Sequence, residues 1–532
     1  MRRRAAAGVV LAVCATAGPV WAQTATPDSV APPQATRTVD VMEYIVQGNT
    51  VLDARAIEQA VTPFLGPGKT LKDIEDARDA LLAAYQAKGY QSVYVDLPEQ
   101  QVTQGLVFLQ VSETRVGRVR VVGSAYSSPV EVREQVPALR EGAVPDFTQA
   151  QQELTELNRT GKRQVMPLVR QGSMPGTMDV DLKVEDSSPW RASLGLNNDR
   201  SADTKNLRLS ASIGHDNLWQ LGHSASVSVF TTPEDLDQTM VWSGSYSAPV
   251  RGTNWSLDAS AYNSDSNVST SGGTSVIGKG YGIGLKAGYT VPDSGAWWHN
   301  LSVGVDFKNN KESLHFGQSR DDVPLKYAPI TLAYAGFYQG ERLQYGLGFS
   351  VVTGTRSLMG WGSDWKAFHY KRFKASPSFQ VLKADFNGSY SLANESQWGW
   401  RFAGQLTDSP LVSGEQIAAG GANSVRGYLS AEATGDVGAV ASLEWRTHPL
   451  SLLGNSVEGW RAYLFADAAH LRLRSPMAEQ QSKFSLASLG MGTSFRVGQG
   501  LSVRLDLGYP LKDGPRTRKH EPRLTFNLQA SY

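Results

Sequence analysis

The last ten residues, Arg523-Leu-Thr-Phe-Asn-Leu-Gln-Ala-Ser-Tyr532, decide how the longer part of this 532-residue chain is read. Leu524, Phe526, Leu528, Ala530 and Tyr532 fall on one side of an extended backbone. Arg523, Thr525, Asn527, Gln529 and Ser531 fall on the other. Successive side chains of a strand point to opposite faces, so this strand meets an apolar medium on one side and a wet one on the other. A soluble β-sandwich offers such a pair of environments, and so does a barrel wall between lipid and an aqueous lumen.

The same alternation recurs back to Trp190. Leu501, Val503, Leu505 and Leu507 alternate with Ser502, Arg504, Asp506 and Gly508; Trp255, Leu257, Ala259 and Ala261 alternate with Asn254, Ser256, Asp258 and Ser260. No amphipathic helix is expected after Pro189, and no second domain signature interrupts the alternation, which argues against a sandwich. Trp242, Tyr246, Trp297, Trp298, Trp398, Trp400 and Tyr463 flank the apolar rows, as interfacial girdles require. Sixteen segments occur, near residues 191, 206, 222, 239, 254, 281, 299, 328, 343, 375, 397, 437, 460, 484, 500 and 523. Membrane-spanning strands need about 9–11 residues, and single-chain bacterial barrels have an even number of them. The expectation over 190–532 is an all-β, 16-stranded transmembrane barrel, wide enough for an aqueous channel.

Upstream the texture differs. Arg2, Arg3 and Arg4, the apolar run Ala5–Ala17 and the Val20-Trp21-Ala22 site read as a cleaved signal peptide, residues 1–22. The run is too short to span about 30 Å of hydrocarbon. It holds the only cysteine, Cys14, so the mature chain has no disulfide framework. Residues 23–38, with Pro27, Pro32 and Pro33, read as a disordered leader.

Two α+β units follow, at 39–114 and 115–189, each in the order β-α-α-β-β. In the first, Tyr44-Ile45-Val46 and the Gly48-Asn49 turn precede a short helix over Ala54–Phe64. Thr70 and Asp73 then cap a longer helix carrying Leu71, Ile74, Ala77, Leu81, Leu82 and Tyr85, which Gly89 closes. Strands through Val93, Val95 and Leu97 and through Val107, Leu109 and Val111 finish it. The second unit repeats this: Val119, Val121 and Gly123, a helix over Val130–Leu139, and a helix capped by Asp146. Strands through Val165 and Val169 and through Val180, Leu182 and Val184 close it. A sheet of this kind leaves an edge strand able to pair with an extended peptide from another chain.

Between the segments near 397 and 437 lies the longest connection, roughly Thr407 to Gly435, containing Gly420-Gly421-Ala-Asn-Ser-Val-Arg-Gly-Tyr428. Glu415-Gln416, Gly420-Gly421 and Ser424-Val425-Arg426-Gly427-Tyr428 resemble the conserved loop of the Omp85 superfamily. The wording is closest to the two-partner secretion transporters (the haemolysin and filamentous haemagglutinin secretion-activation family). The resemblance extends along nearly the whole mature chain: a signal peptide, two POTRA-like periplasmic units at 39–114 and 115–189, and the barrel. It implies that the loop folds back into the barrel and that Arg426 pairs with the aspartate of an F-x-D-x-G motif. This chain supplies Phe465-Ala466-Asp467-Ala468-Ala469, where Ala469 replaces the family glycine and is expected to crowd the loop. A guanidinium inside a barrel needs such a carboxylate to offset its desolvation, and flanking glycines let the loop backbone approach the wall.

The resemblance further implies export of a large secreted exoprotein captured by the POTRA domains, at the bacterial outer membrane among lipid and lipopolysaccharide. Many members carry an N-terminal plug helix, for which the short proline-rich leader leaves no room. The pore is therefore expected to be sealed mainly by the Arg426 loop. An outer-membrane barrel-assembly factor is the alternative, although such factors typically carry three to five POTRA domains. A passive porin explains neither the two units nor the Arg426 and Asp467 motifs.

Lysine and arginine total 51 against 50 acidic residues, which disfavours a nucleic-acid partner. Gly278, Gly280, Gly282 and Gly284 occupy one face of a strand, not a phosphate loop opening a helix. The eight histidines show no metal spacing, no nucleophile elbow occurs, and Arg504 and Asp506 read as solvated channel lining. No cofactor, metal or enzymatic activity is expected.

Overall fold

The computed structural model of the chain describes residues 38–158, 163–265, 268–269, 276–277, 279–292, 295–311, 313–316, 319–322, 324–451, 457–498 and 500–532. The expected signal peptide with Cys14, the leader up to residue 37, and Gly278 lie outside these residues.

In the first α+β unit, the strand Glu43–Gln47 pairs in parallel with Leu106–Glu113, which pairs antiparallel with Val93–Asp96. Helices Ala54–Val61 and Leu71–Ala87 cover this sheet through a shared core that includes Ile74, Leu81, Tyr85, Val107 and Leu109. The longer helix buries Ile74, Ala77, Leu81 and Tyr85, one stripe at helical spacing. A full capping box starts it: the Asp73 amide donates to Thr70 Oγ1, and the Thr70 amide donates to Asp73 Oδ2 at 2.7 Å. Beyond what the sequence pattern gave, Val39–Val41 and Gly66–Lys69 form a separate two-stranded ribbon.

The second unit orders its strands as Arg115–Val122, Thr177–Asp186 and Arg163–Gln171, with helices Pro129–Glu134 and Phe147–Asn158. Asp146 caps the latter helix through the Gln149 amide at 2.9 Å.

The remainder is a closed antiparallel barrel of sixteen strands. They are β1 Trp190–Asn197, β2 Arg208–Leu218, β3 His223–Thr231, β4 Met240–Pro249, β5 Trp255–Ser264, β6 Gly280–Val291, β7 Trp297–Asn310 and β8 Ile330–Gln339. There follow β9 Leu343–Thr353, β10 Gln380–Ser391, β11 Gln397–Leu406, β12 Val437–Arg446, β13 Val457–Arg472, β14 Lys483–Val497, β15 Leu501–Pro510 and β16 Arg523–Ser531. β16 pairs with β1 and closes the circle, which removes the open edges. The apolar rows face outward: Leu194, Ile213, Val227, Leu332, Leu464 and Leu524 are each more than half exposed, a burial pattern that only lipid satisfies.

Four expectations change. The segment near 328 is split: Leu325–Tyr327 pairs with β7 first, and Pro329, which has no N–H to give the ladder, separates it from β8. The segment near 375 begins at Gln380. Before it stands a short helix, Trp365–Lys371, capped by Asp364. Its seven residues bury only Phe368, so no amphipathic period announced it. Tyr463 does not join a girdle. It faces inward at 2 % exposure, because it shares the β13 face of Phe465 and Asp467.

Candidate functional site

Alternation in three strands places one set of polar groups on the same inner patch of wall. β12 contributes Ser442, Glu444 and Arg446; β13 contributes Tyr463, Phe465 and Asp467; β15 contributes Arg504, Asp506 and Gly508. Register aligns them, with Ser442 opposite Asp467 and Glu444 opposite Phe465. Residues 407–436, between β11 and β12, fold against this patch, and Ile417, Ala418, Ala419, Val425 and Tyr428 are all buried there.

Arg426 sits in the patch at 2 % exposure. Its Nε donates to Asp467 Oδ2 and its Nη2 to Asp467 Oδ1, both at 2.8 Å, a two-pronged geometry that only a guanidinium provides. The Arg426 backbone amide adds a third bond to Asp467 Oδ2 at 3.0 Å. Nη1 lies 2.6 Å from Glu444 Oε2 and 3.4 Å from Asp506 Oδ1, and Nη2 donates to Ser442 Oγ at 3.1 Å. The guanidinium carbon lies 3.5 Å from the Phe465 ring centroid, so the aromatic face covers its remaining side.

The carboxylates are themselves held. Ser442 Oγ donates to Asp467 Oδ1 at 2.7 Å, Arg446 Nε to Glu444 Oε1 at 2.6 Å, Arg504 Nε to Asp506 Oδ2 at 2.9 Å, and the Tyr463 hydroxyl to Asp506 Oδ1 at 3.0 Å. Arg426, Arg446 and Arg504 thus balance Glu444, Asp467 and Asp506. A lone buried ion would be too costly to keep in place, and a neutral, fully bonded cluster is not.

An apolar cluster packs beside the charges. Ile417, Ala419, Val425, Tyr428 and Ala433 of the loop meet Val440, Ala469, Leu471 and Leu486 of the wall. Ala469 therefore packs against the loop. The close backbone approach occurs at Gly508, which faces Gly427. Gly420, Gly421 and Gly427 adopt φ of +109°, +98° and +91°, values that a side chain resists. The Tyr428 hydroxyl lies 2.9 and 2.7 Å from the carbonyl oxygens of Ala487 and Lys512.

Two buried carboxylates fix the loop's base. Glu415 receives Lys308 Nζ at 2.7 Å and the Tyr327 hydroxyl at 3.0 Å. Asp436 receives the Leu411 amide at 3.0 Å, Gln416 Nε2 at 2.9 Å and the Arg474 amide at 2.6 Å.

Sequence reading pointed to Val425, Arg426, Gly427, Tyr428, Phe465, Asp467, Gly420 and Gly421, and the structure brings all of them into this region. It missed Ser442, Glu444 and Asp506. Asp506 is 3 % exposed, not solvated lining. The signal was available: Glu444/Arg446 and Arg504/Asp506 are opposite charges two residues apart, hence on one inward face. The glycines of β6 make room instead of binding phosphate, since a Cβ on Gly282 would lie 2.5 Å from the Tyr262 ring. Among the described residues no cluster of histidine, cysteine and carboxylate could hold a metal ion.

A profile of the family described as haemolysin secretion/activation protein ShlB/FhaC/HecB matches residues 176–495. The chain belongs to this family. Residues 39–114 match the ShlB-type POTRA domain. The Escherichia coli protein named outer membrane transporter CdiB is 23% identical over 495 residues, covering 88% of this chain and 79% of that one. A protein of the same name from Dickeya dadantii is 23% identical over 434 residues, covering 78% of this chain and 75% of the relative.

Among solved structures, CdiB from Escherichia coli aligns with a TM-score of 0.61 at 20% identity, covering 95% of this chain and 93% of that one. BamA from Haemophilus ducreyi lacking POTRA domains 1-3 aligns at 0.56 and 16% identity, covering 93% and 100%. At such identities the likeness speaks to the fold alone. This member of the two-partner secretion transporter family is an outer-membrane protein whose POTRA region lies in the periplasm.

Proposed function

We propose that this family member exports one large exoprotein of the adhesin or haemolysin class from periplasm to cell surface. In this reading the chain divides into POTRA domains at 39–114 and 115–189 and the barrel at 190–532, the outer face of which contacts lipid and lipopolysaccharide. The POTRA sheets capture the unfolded substrate by adding it to an exposed edge strand, because main-chain bonds tolerate any side-chain sequence. The Arg426 loop latches the pore, and passage requires it to shift. No nucleic acid, cofactor or catalytic step takes part.

The observation that carries the reading is the buried Arg426 cluster, which holds a long loop inside the barrel by bonds that can be exchanged without unfolding a strand. The test compares secreted and outer-membrane proteomes of cells with the protein, without it, and with Arg426→Ala. Loss of one large exoprotein, other barrels unchanged, is the expected result. A general fall in outer-membrane proteins would instead make the protein an assembly factor.

A further inference from the structure

The seam that closes the barrel is short of hydrogen bonds. β1 and β16 pair over Ser193–Asn197 and Asn527–Ser531, and Ala192 and Tyr532 exchange two further main-chain bonds at 3.2 and 2.9 Å; even so this is the shortest ladder between neighbouring barrel strands among the described residues. On its other side β1 pairs with β2 along its whole length. Asn198, just past β1, adds two side-chain bonds across the seam, to Leu524 O at 3.0 Å and from the Phe526 amide at 2.8 Å.

The far half of the inserted loop is tied to both elements that flank this seam. On the β1 side, the Ala422 amide donates to Asp199 Oδ2 at 3.1 Å, the Ser430 amide donates to Arg200 O at 2.9 Å, and Ser201 bridges to Ser430. On the β16 side, the buried Glu432 carboxylate gathers the connection between β15 and β16. Its Oε1 accepts from the Arg516 amide at 2.6 Å and the Thr517 amide at 2.7 Å. Its Oε2 accepts from Thr517 Oγ1 at 2.9 Å and from the loop's own Leu429 amide at 3.1 Å. Gly514 leaves the space the carboxylate needs, since a Cβ there would lie 2.7 Å from Glu432 Oε1.

We propose that residues 420–432 act as a clasp over the closing seam, with Glu432 as its positioning residue. The loop thus has two attachments of different kind: Arg426 to the wall of β12, β13 and β15, and Ala422, Ser430 and Glu432 to the turns that bracket β1 and β16. A four-fold accepting carboxylate suits the second task, because one side chain fixes both the loop and the hairpin in one orientation. Movement of the loop and integrity of the seam are then energetically linked, which goes beyond a role in blocking the pore.

The test uses the full-length protein in outer membranes and follows heat-induced loss of the folded, fast-migrating electrophoretic form. Glu432→Ala unpairs three amides and a hydroxyl, and is expected to shift the opening equilibrium of the seam by about tenfold, roughly 1.4 kcal/mol. A disulfide across the non-hydrogen-bonded pair, Ser193→Cys with Ser531→Cys, is expected to restore the lost thermal stability of Glu432→Ala but not that of Arg426→Ala. Equal rescue of both variants, rescue of neither, or an unchanged transition in Glu432→Ala would overturn the proposal. If Glu432→Ala does not insert, Thr517→Val removes a single clasp bond and is expected to give a smaller loss that the same disulfide rescues; no loss, or one the disulfide leaves unrescued, counts against the clasp.

Discussion

Gly427 of the inserted loop and Gly508 of β15 meet backbone against backbone: a Cβ on Gly508 would lie 2.5 Å from the Gly427 nitrogen and 2.7 Å from its Cα. Arg426 reaches its carboxylates because no side chain stands between loop and strand at this point. The positive φ of Gly427 adds a second reason for glycine on the loop side.

Gly508→Val is therefore expected to push the loop off the wall, although position 508 carries no charge and touches no carboxylate. Overpacking a tight contact costs about 1–3 kcal/mol. Protease sensitivity of residues 420–430 in membrane-embedded protein should rise, and export should fall as in Arg426→Ala. A variant with a protected loop and normal export would show that the contact is incidental.

Arg426→Lys separates charge from geometry. Lysine keeps one positive charge but cannot engage both Asp467 oxygens in plane while also reaching Glu444 and Ser442. Removing the cation altogether, as in Arg426→Ala, leaves the buried Asp467 without its cation, while Glu444 and Asp506 keep Arg446 and Arg504, at a cost of about 3–5 kcal/mol. The lysine variant is expected to recover only part of this. Labelling of an Asn423→Cys probe in each background ranks the three proteins, and equal labelling of Lys and Arg forms would refute the geometric argument.

How much of this was legible follows from what each element is made of. β16 and β15 were readable because alternation survives wherever one face meets lipid and the other water. The longer periplasmic helix was readable from Thr70, Asp73 and the stripe from Ile74 to Tyr85. Arg426 and Asp467 were found through a family resemblance, since nothing local announces that positions 426 and 467 touch. Glu444 and Asp506 stayed hidden because inward charges in a barrel look alike until register sets Glu444 opposite Phe465. The helix at Trp365–Lys371 was too short to show a period, and the clasp at Glu432 depends on backbone amides, which no sequence displays.

Ala469→Gly tests the wall residue that was expected to crowd the loop. The Ala469 methyl packs in a cluster with Val425, Tyr428 and Val440. Its removal forfeits about 0.8 kcal/mol of burial and adds the backbone freedom of glycine. The loop should loosen slightly, seen as a lower heat-modification temperature. A higher temperature would mean that alanine strains the site after all.

The periplasmic helix Leu71–Ala87 supplies a pH-dependent prediction independent of the barrel. The Thr70 hydroxyl, with the Thr70 amide next in strength, holds the Asp73 carboxyl below its usual range. A carboxylate whose folded pKa is depressed stabilises the fold above its unfolded value of 3.8, and that contribution is lost as pH falls through the lower folded value. Hydrogen exchange at the first-turn amides of this helix in the full-length protein, corrected for intrinsic rates, should thus accelerate on acidification below about pH 4. Thr70→Val removes the hydroxyl that accepts from the Asp73 amide, and should raise exchange already at neutral pH and flatten the acid response. An acid response unchanged in Thr70→Val would show that the hydroxyl is not its origin.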